Sequence, residues 1–126
     1  MSISDSAGAD FLNLDFNGTS YTPPAIWYVG FRGAGSELSG NGYARIPLTA
    51  NSTNFPVTAT KVISNGVEFE TPSASGGDWD QADEVGLWDA STGGSPRYYD
   101  LLDAPFTLLE GRKRTFPISS LTIRLI

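Results

Sequence analysis

Ala25-Ile26-Trp27-Tyr28-Val29-Gly30-Phe31 is the stretch on which the fold turns. It is β-branched and aromatic, a composition that suits a pleated strand. Its apolar residues fall at odd and even positions alike, so both faces of the strand should be covered. Pro23-Pro24 precedes it and can sit in neither a helix interior nor a central strand. After it, the glycines at 33, 35, 40 and 42 predict a loop over 32–42.

Working outward, Tyr43-Ala44-Arg45-Ile46-Pro47-Leu48 alternates, and Pro47 suggests an edge or a bulge. Lys61-Val62-Ile63 and Val67-Glu68-Phe69 flank Ser64-Asn65-Gly66, the signature of a hairpin with a tight turn. Residues 72–82 form a polar loop around Gly76-Gly77-Asp78-Trp79-Asp80. Asp83 to Trp88 follows as a strand with Val85 and Leu87 on one face, and Asp89 to Gly94 is a turn cluster. Arg97 to Leu102 and Phe106 to Leu109 read as two strands broken by Pro105, and Glu110-Gly111-Arg112-Lys113 as a turn. Thr115-Phe116 and Leu121 to Ile126 close the pattern, with Leu121, Ile123 and Leu125 inward. Towards the N-terminus, residues 5–16 are the one helical segment. Ser4 or Asp5 caps it, Ala7, Phe11, Leu12 and Phe16 recur at helical spacing, and Asn17-Gly18 stops it.

About eight short strands with frequent turns make an all-β fold: a compact antiparallel β-sandwich or jelly-roll-like barrel with one short N-terminal helix. The expected division is a helix and extended lead-in over 1–24 and a single β-sandwich domain over 25–126. Composition agrees. The chain has 126 residues, with 14 glycines, 8 prolines and only 17% charged residues, against about 25% in ordinary domains. It has no Cys and no His, which excludes disulfides, thiolate zinc sites and His-based triads. A net charge of −6 argues against a nucleic-acid partner, whose phosphates need Lys and Arg. No apolar run approaches the roughly 18 residues of a membrane helix. The Met1-Ser2-Ile3-Ser4-Asp5 start lacks the basic and apolar regions of a classical signal. No cofactor is expected.

Four stretches, taken in order, carry a resemblance. They are Gly18-Thr19-Ser20-Tyr21-Thr22-Pro23-Pro24 running into Trp27-Tyr28-Val29-Gly30, and Ser39-Gly40-Asn41-Gly42-Tyr43-Ala44-Arg45. The third is Ser75-Gly76-Gly77-Asp78-Trp79 leading to Val85-Gly86-Leu87-Trp88-Asp89-Ala90 and Thr92-Gly93-Gly94, and the fourth is Leu101-Leu102 through Gly111 to Leu121-Thr122-Ile123. Together, from about residue 7 to 126, the chain resembles a family of small tailed-phage virion proteins commonly labelled phage tail fibre proteins. The resemblance implies a non-enzymatic virion building block, oligomeric, whose partners are itself and other virion proteins. It places the chain in the virion, assembled in the host cytoplasm. A tail position (fibre, tip or baseplate) leads, with capsid decoration as the alternative and a host-glycan-binding module as a further one.

The candidate contact residues are Trp79, Asp78, Asp80, Tyr98, Tyr99, Arg112, Lys113 and Arg114. Trp27 and Trp88 lie in apolar strands and read as core, whereas Trp79 sits in a Gly- and Asp-rich loop that could offer its ring to a sugar or a neighbouring subunit. Its alternative is to pack down over the sheet end. Asp78, Asp80, Asp83 and Glu84 lack the spacing of a calcium loop and read as a solvated turn; as paired carboxylates for glycoside hydrolysis they are a weaker idea still. Arg112-Lys113-Arg114 is the basic run of an acidic chain, a solvated turn or a patch meeting the acidic loop of another subunit.

Overall fold

A computed structural model describes residues 1–124. In chain order its elements are β1 (Ser2–Ile3), α1 (Asp5–Asn17), β2 (Ile26–Gly33), β3 (Ser36–Glu37), β4 (Ile46–Thr49) and β5 (Val57–Ala59). They continue with β6 (Val62–Ser64), β7 (Phe69–Glu70), β8 (Ala82–Trp88), β9 (Tyr98–Phe106), β10 (Thr115–Phe116) and β11 (Thr122–Arg124). The main sheet runs β1-β9-β8-β2, and β3 and β4 share the remaining edge of β2. β4 lies along Ile26–Val29 and β3 along Arg32-Gly33. Two smaller sheets, β11-β6-β5 and β10-β7, complete the molecule, and every pairing is antiparallel. The sheets curl into a half-barrel, so the all-β sandwich with one short helix is the observed class.

The core forms where the main sheet meets the two small ones. Val29, Phe31, Val85 and Leu87 face Phe69, Phe116 and Leu121. The Phe116 ring stacks between Phe31 and Phe69, with centroids at 5.4 and 5.1 Å, and Phe106 stands edge-on to Phe31 at 5.4 Å. Such pairs add about 0.5–1.5 kcal/mol each beyond the area they bury.

The opposite face of the main sheet carries a second packed layer. Gly30 and Gly86 are directly paired across β2 and β8. A Cβ at Gly30 would come within 2.7 Å of Trp88 Cζ3, and one at Gly86 within 2.9 Å of the same atom. The two glycines thus clear a floor for the Trp88 indole. Above it lies the Arg45 guanidinium, 4.4 Å from the ring centroid. The run at 25–31 therefore has cover on both sides, and Val29, Gly30 and Phe31 are all buried.

Local chemistry explains the helix. Ser4 Oγ accepts from Ala7 N (3.3 Å) as the N-cap, and Gly18 adopts φ 65°, the left-handed stop. Ala7 is buried, but Leu12 and Phe16, read as part of the same face, are not. At about 100° per residue, nine positions put Phe16 half a turn away from Ala7.

Four expectations are corrected. Residues 32–42 are not all loop: Ala34 (φ 52°) and Gly35 (φ 84°) make a two-residue turn that joins β2 to β3. No hairpin forms around Asn65-Gly66. β6 pairs with β5 and β11, and β7 with β10, because Asn65 is buried and its amide is engaged elsewhere. It donates to Val67 O and Pro117 O and accepts from Leu121 N. Arg97 to Leu109 is not two strands: β9 is continuous from Tyr98 through Pro105 to Phe106. The irregularity is absorbed where its register against β8 shifts between Glu84↔Leu101 and Ala82↔Phe106. The N-terminal residues also supply a strand, β1, which pairs with Tyr98 and Tyr99. Leu121 is buried and Ile123 partly so, as expected, while Leu125 and Ile126 lie outside the described residues.

The glycine floor is testable. Gly86→Val drives a side chain into Trp88 and Pro96 and should destabilise by about 1–3 kcal/mol, as overpacking does. Gly8→Ala, in open space on α1, should stabilise by about 1 kcal/mol. Urea unfolding of both variants checks the pair; equal midpoints would refute the close approach.

Candidate functional site

The eight candidate contact residues fall in separate places. Trp79 lies in the loop end of the sandwich and is only 4% exposed. Its backbone N donates to Leu108 O (2.8 Å), its Nε1 donates to Asn41 O (2.9 Å), and its ring stands edge-on to Tyr43 at 5.3 Å. The indole is held down over the sheet end, the alternative weighed for it, and presents no open face. Gly77, at φ 144° and with Asn41 Nδ2 3.1 Å from its would-be Cβ, lets the loop make that descent.

Asp78 is a tie between loops: its Oδ1 accepts from Glu110 N and its carbonyl from Asn41 Nδ2, both at 2.8 Å. Asp83 accepts from Ala34 N, Glu84 pairs with Arg32, and Asp80 is exposed. Three of the four carboxylates thus have different partners and the fourth faces solvent, and no group of three or more metal-ligating side chains occurs among the described residues. The basic run is also divided. Arg112 is exposed, Lys113 pairs with Glu70 at 3.1 Å, and Arg114 lies over the Phe106 ring at 4.6 Å. Ala74 N donates to Arg112 O (3.0 Å), so the basic turn sits beside the acidic loop within one chain.

Tyr98 and Tyr99 are neighbours on β9 and point to opposite faces. Tyr99 lies beneath the Arg32 guanidinium at 5.6 Å. Tyr98 packs edge-on against Trp27 at 5.7 Å, and burial pushes its hydroxyl pKa upward. It forms part of a groove of about 600 Å³ between α1 and the small sheet, with Phe11, Val57, Val62, Ile63 and Ile123 as the apolar lining. Asp15 and Lys61 also border it. The far wall, α1, is tethered through Asp10 to Arg97 (2.7 Å), whose guanidinium lies over Tyr21 at 5.1 Å. Sequence reading missed this groove because its walls come from four separated segments. Half of its signal was legible: α1 carries apolar residues on two sides, which one packed face does not need.

The remaining polar cluster is structural. Arg45 donates through Nε and Nη2 to the two Glu37 oxygens (2.7 and 2.8 Å), and its other donors reach Ala90 O and Gly93 O. Tyr43 donates to Glu37 Oε2 (2.8 Å) and accepts from Phe31 N (3.0 Å). Partial burial alone would raise the Glu37 pKa, but hydrogen bonds from Arg45 and Tyr43 outweigh it and leave the pKa below its ordinary 4.5. Burial pushes the Tyr43 hydroxyl upward. These groups hold one another and leave no donor aimed at a ligand.

Two outcomes follow. Trp79→Ala should destabilise by about 3–5 kcal/mol as a buried aromatic truncation, measured by denaturant unfolding; a loss of only a few tenths would mean the indole is a surface group. Because the Glu37 pKa is lower in the folded state, the unfolded state binds more protons as pH falls. The contribution of Glu37 is thus complete above its ordinary value and is lost on acidification through the lowered one. Glu37→Gln should flatten this part of the acid dependence of thermal unfolding, and an unchanged acid limb would refute the assignment.

Among curated proteins nothing matches the chain. A family model described as Podophage GP4 fiber I protein gp80 matches residues 2–124. That span covers the helix, all three sheets and the groove, and the resemblance drawn from the ordered sequence stretches agrees with it. The chain belongs to the Podophage GP4 fiber I protein gp80 family of phage fibre proteins.

Proposed function

We propose that this fibre protein is a non-enzymatic, oligomeric building block attached at the phage tail, in the fibre, tip or baseplate periphery, and assembled in the host cytoplasm. The observation that carries the reading is apolar surface left open on a single chain. Phe16 is 80% exposed, Val57 73% and Leu101 72%. Val57 borders the apolar groove beside α1, which also takes in Phe11, Val62, Ile63 and Ile123, and contiguous apolar surface of that kind marks an interaction site. The sheet edges point the same way: beyond Tyr99, β9 has no partner on its outer side among the described residues, and β5 is exposed throughout. Membership of a fibre family supports the tail over the capsid surface.

In this reading the lead-in 1–24 and the β domain 25–126 work as one unit. Contact chemistry comes from apolar surface, with exposed Asp80 and Arg112 as polar contributors. The buried Trp79 gives less support to glycan binding than an open indole would.

The purified chain should sediment as a species heavier than its 13.5 kDa, in sedimentation-velocity runs across a wide concentration range. Gold-labelled antibody should decorate the tail end of intact virions. A strict monomer at high concentration would refute the oligomer, and gold spread over the head would refute the tail position.

A further inference from the structure

The helix α1 is attached to the sandwich at few points. Among residues 4–24 only Ala7 is buried. Phe11, Leu12, Leu14 and Phe16 are exposed. Among the described residues, every hydrogen bond from this segment to the rest of the chain ends on Arg97. Its carbonyl accepts from Ser4 N and its Nη2 donates to Asp10 Oδ2, both at 2.7 Å. Its guanidinium also lies over the Tyr21 ring at 5.1 Å. Asp10 and Tyr21, which hold the cation, thus belong to the segment that the cation holds.

We propose that residues 4–24 form a strap that lifts from the sandwich as a unit while the sheets stay folded, with Arg97 as its latch. The inference stands apart from the oligomeric reading. The lead-in and the β domain act as one unit while the latch is closed.

Little opposes the opening. Ala7 is the one side chain that loses full burial, and segments with few buried contacts open below the cost of global unfolding. The latch is also incompletely satisfied. Arg97 Nε is buried and has no hydrogen-bond partner among the described residues, so the closed state carries an unmet donor. Lifting the strap admits water to the guanidinium. Hydration then replaces Asp10 and reaches Nε, which offsets much of the lost pair.

The helix does not outlast its docking. α1 has 13 residues, a length at which an isolated helix is marginal in water even with good helix formers. It contains Gly8, Asn13, Asn17 and three Asp, which are poor ones. Undocking and melting are therefore one event, between the fixed ends supplied by β1 on β9 and by β2. The event uncovers apolar surface. Phe11 and Asp15 leave the groove, and Tyr98, Val62, Ile63 and Ile123 become an open face. The strap is a removable cover for that face.

Native-state hydrogen exchange of the full chain, read amide by amide by NMR, tests the strap. The expected result is that protection of the α1 amides is lower than that of β2 and β8 by about tenfold or more. Asp10→Asn removes the latch pair and leaves Arg97 in place. It should speed α1 exchange by roughly two- to fivefold and leave β2 and β8 unchanged. Arg97→Gln should act in the same direction. Gly8→Ala, which favours the helix without touching the sheets, should slow α1 exchange by about fivefold. Equal protection in α1, β2 and β8 would overturn the strap, because the helix would then open only with the sandwich. If Asp10→Asn leaves α1 unmoved, or speeds helix and sheets together, the latch is overturned.

Discussion

The structure depends on the stacking of Arg45 on Trp88 over a floor of two glycines. Trp88 ends β8, and its indole crosses the paired Gly30 and Gly86 on the face of the main sheet away from the aromatic core. Arg45 covers the indole, and Glu37 grips Arg45 with both carboxylate oxygens. The remaining guanidinium donors close on the carbonyls of Ala90 and Gly93. One cation thus fastens the β2–β3 hairpin, the approach to β4 and the 89–94 turn to the centre of the sheet. Cation–π stacking favours Arg here, because its planar group can lie on the ring while its edge makes paired hydrogen bonds. Burial of the pair opposes part of this gain, so its main effect is to select one arrangement of three loops. A Cβ at either glycine would lift the indole and loosen all of them.

With both faces of β2 and β8 packed, the sandwich has little left to settle internally, and what stays open lies at its edge. α1 is fixed at its start by the Ser4 cap, at its middle by Asp10 on Arg97, and at its end by Gly18. The two end ties are local and the Asp10–Arg97 pair reaches across the fold, and together they hold the helix with its outer side uncovered. The loop end of the molecule is the converse. There the residues that looked most available, Trp79, Asp78, Lys113 and Arg114, are engaged within the chain. By family the chain is a phage fibre protein, and the outer side of its helix, with Leu12 and Phe16, is open.

The residues themselves determined the class of fold and much of its punctuation. The dense β-branched and aromatic run at 25–31, the scattered glycines and prolines, and the lack of His and Cys specify short strands with frequent turns and exclude several chemistries. The helix with its Ser4 cap and Gly18 stop was legible because caps act within one turn. Tertiary structure alone decided the pairings and the exposures. Asn65-Gly66 carries a hairpin signature, yet the Asn65 amide is drawn to Pro117 and Leu121, more than fifty residues away in sequence. Gly66 is required because Thr53 O would lie 2.1 Å from a Cβ there. Trp79 sits among glycines and aspartates, yet it is buried because Asn41 and Tyr43 come back to cover it. Hydrogen bonds and packing between distant segments are set by which surfaces meet, and that information lies in no local window of the chain. The groove beside α1 belongs to the same class: its residues were visible one by one, and only folding brought them to a common wall.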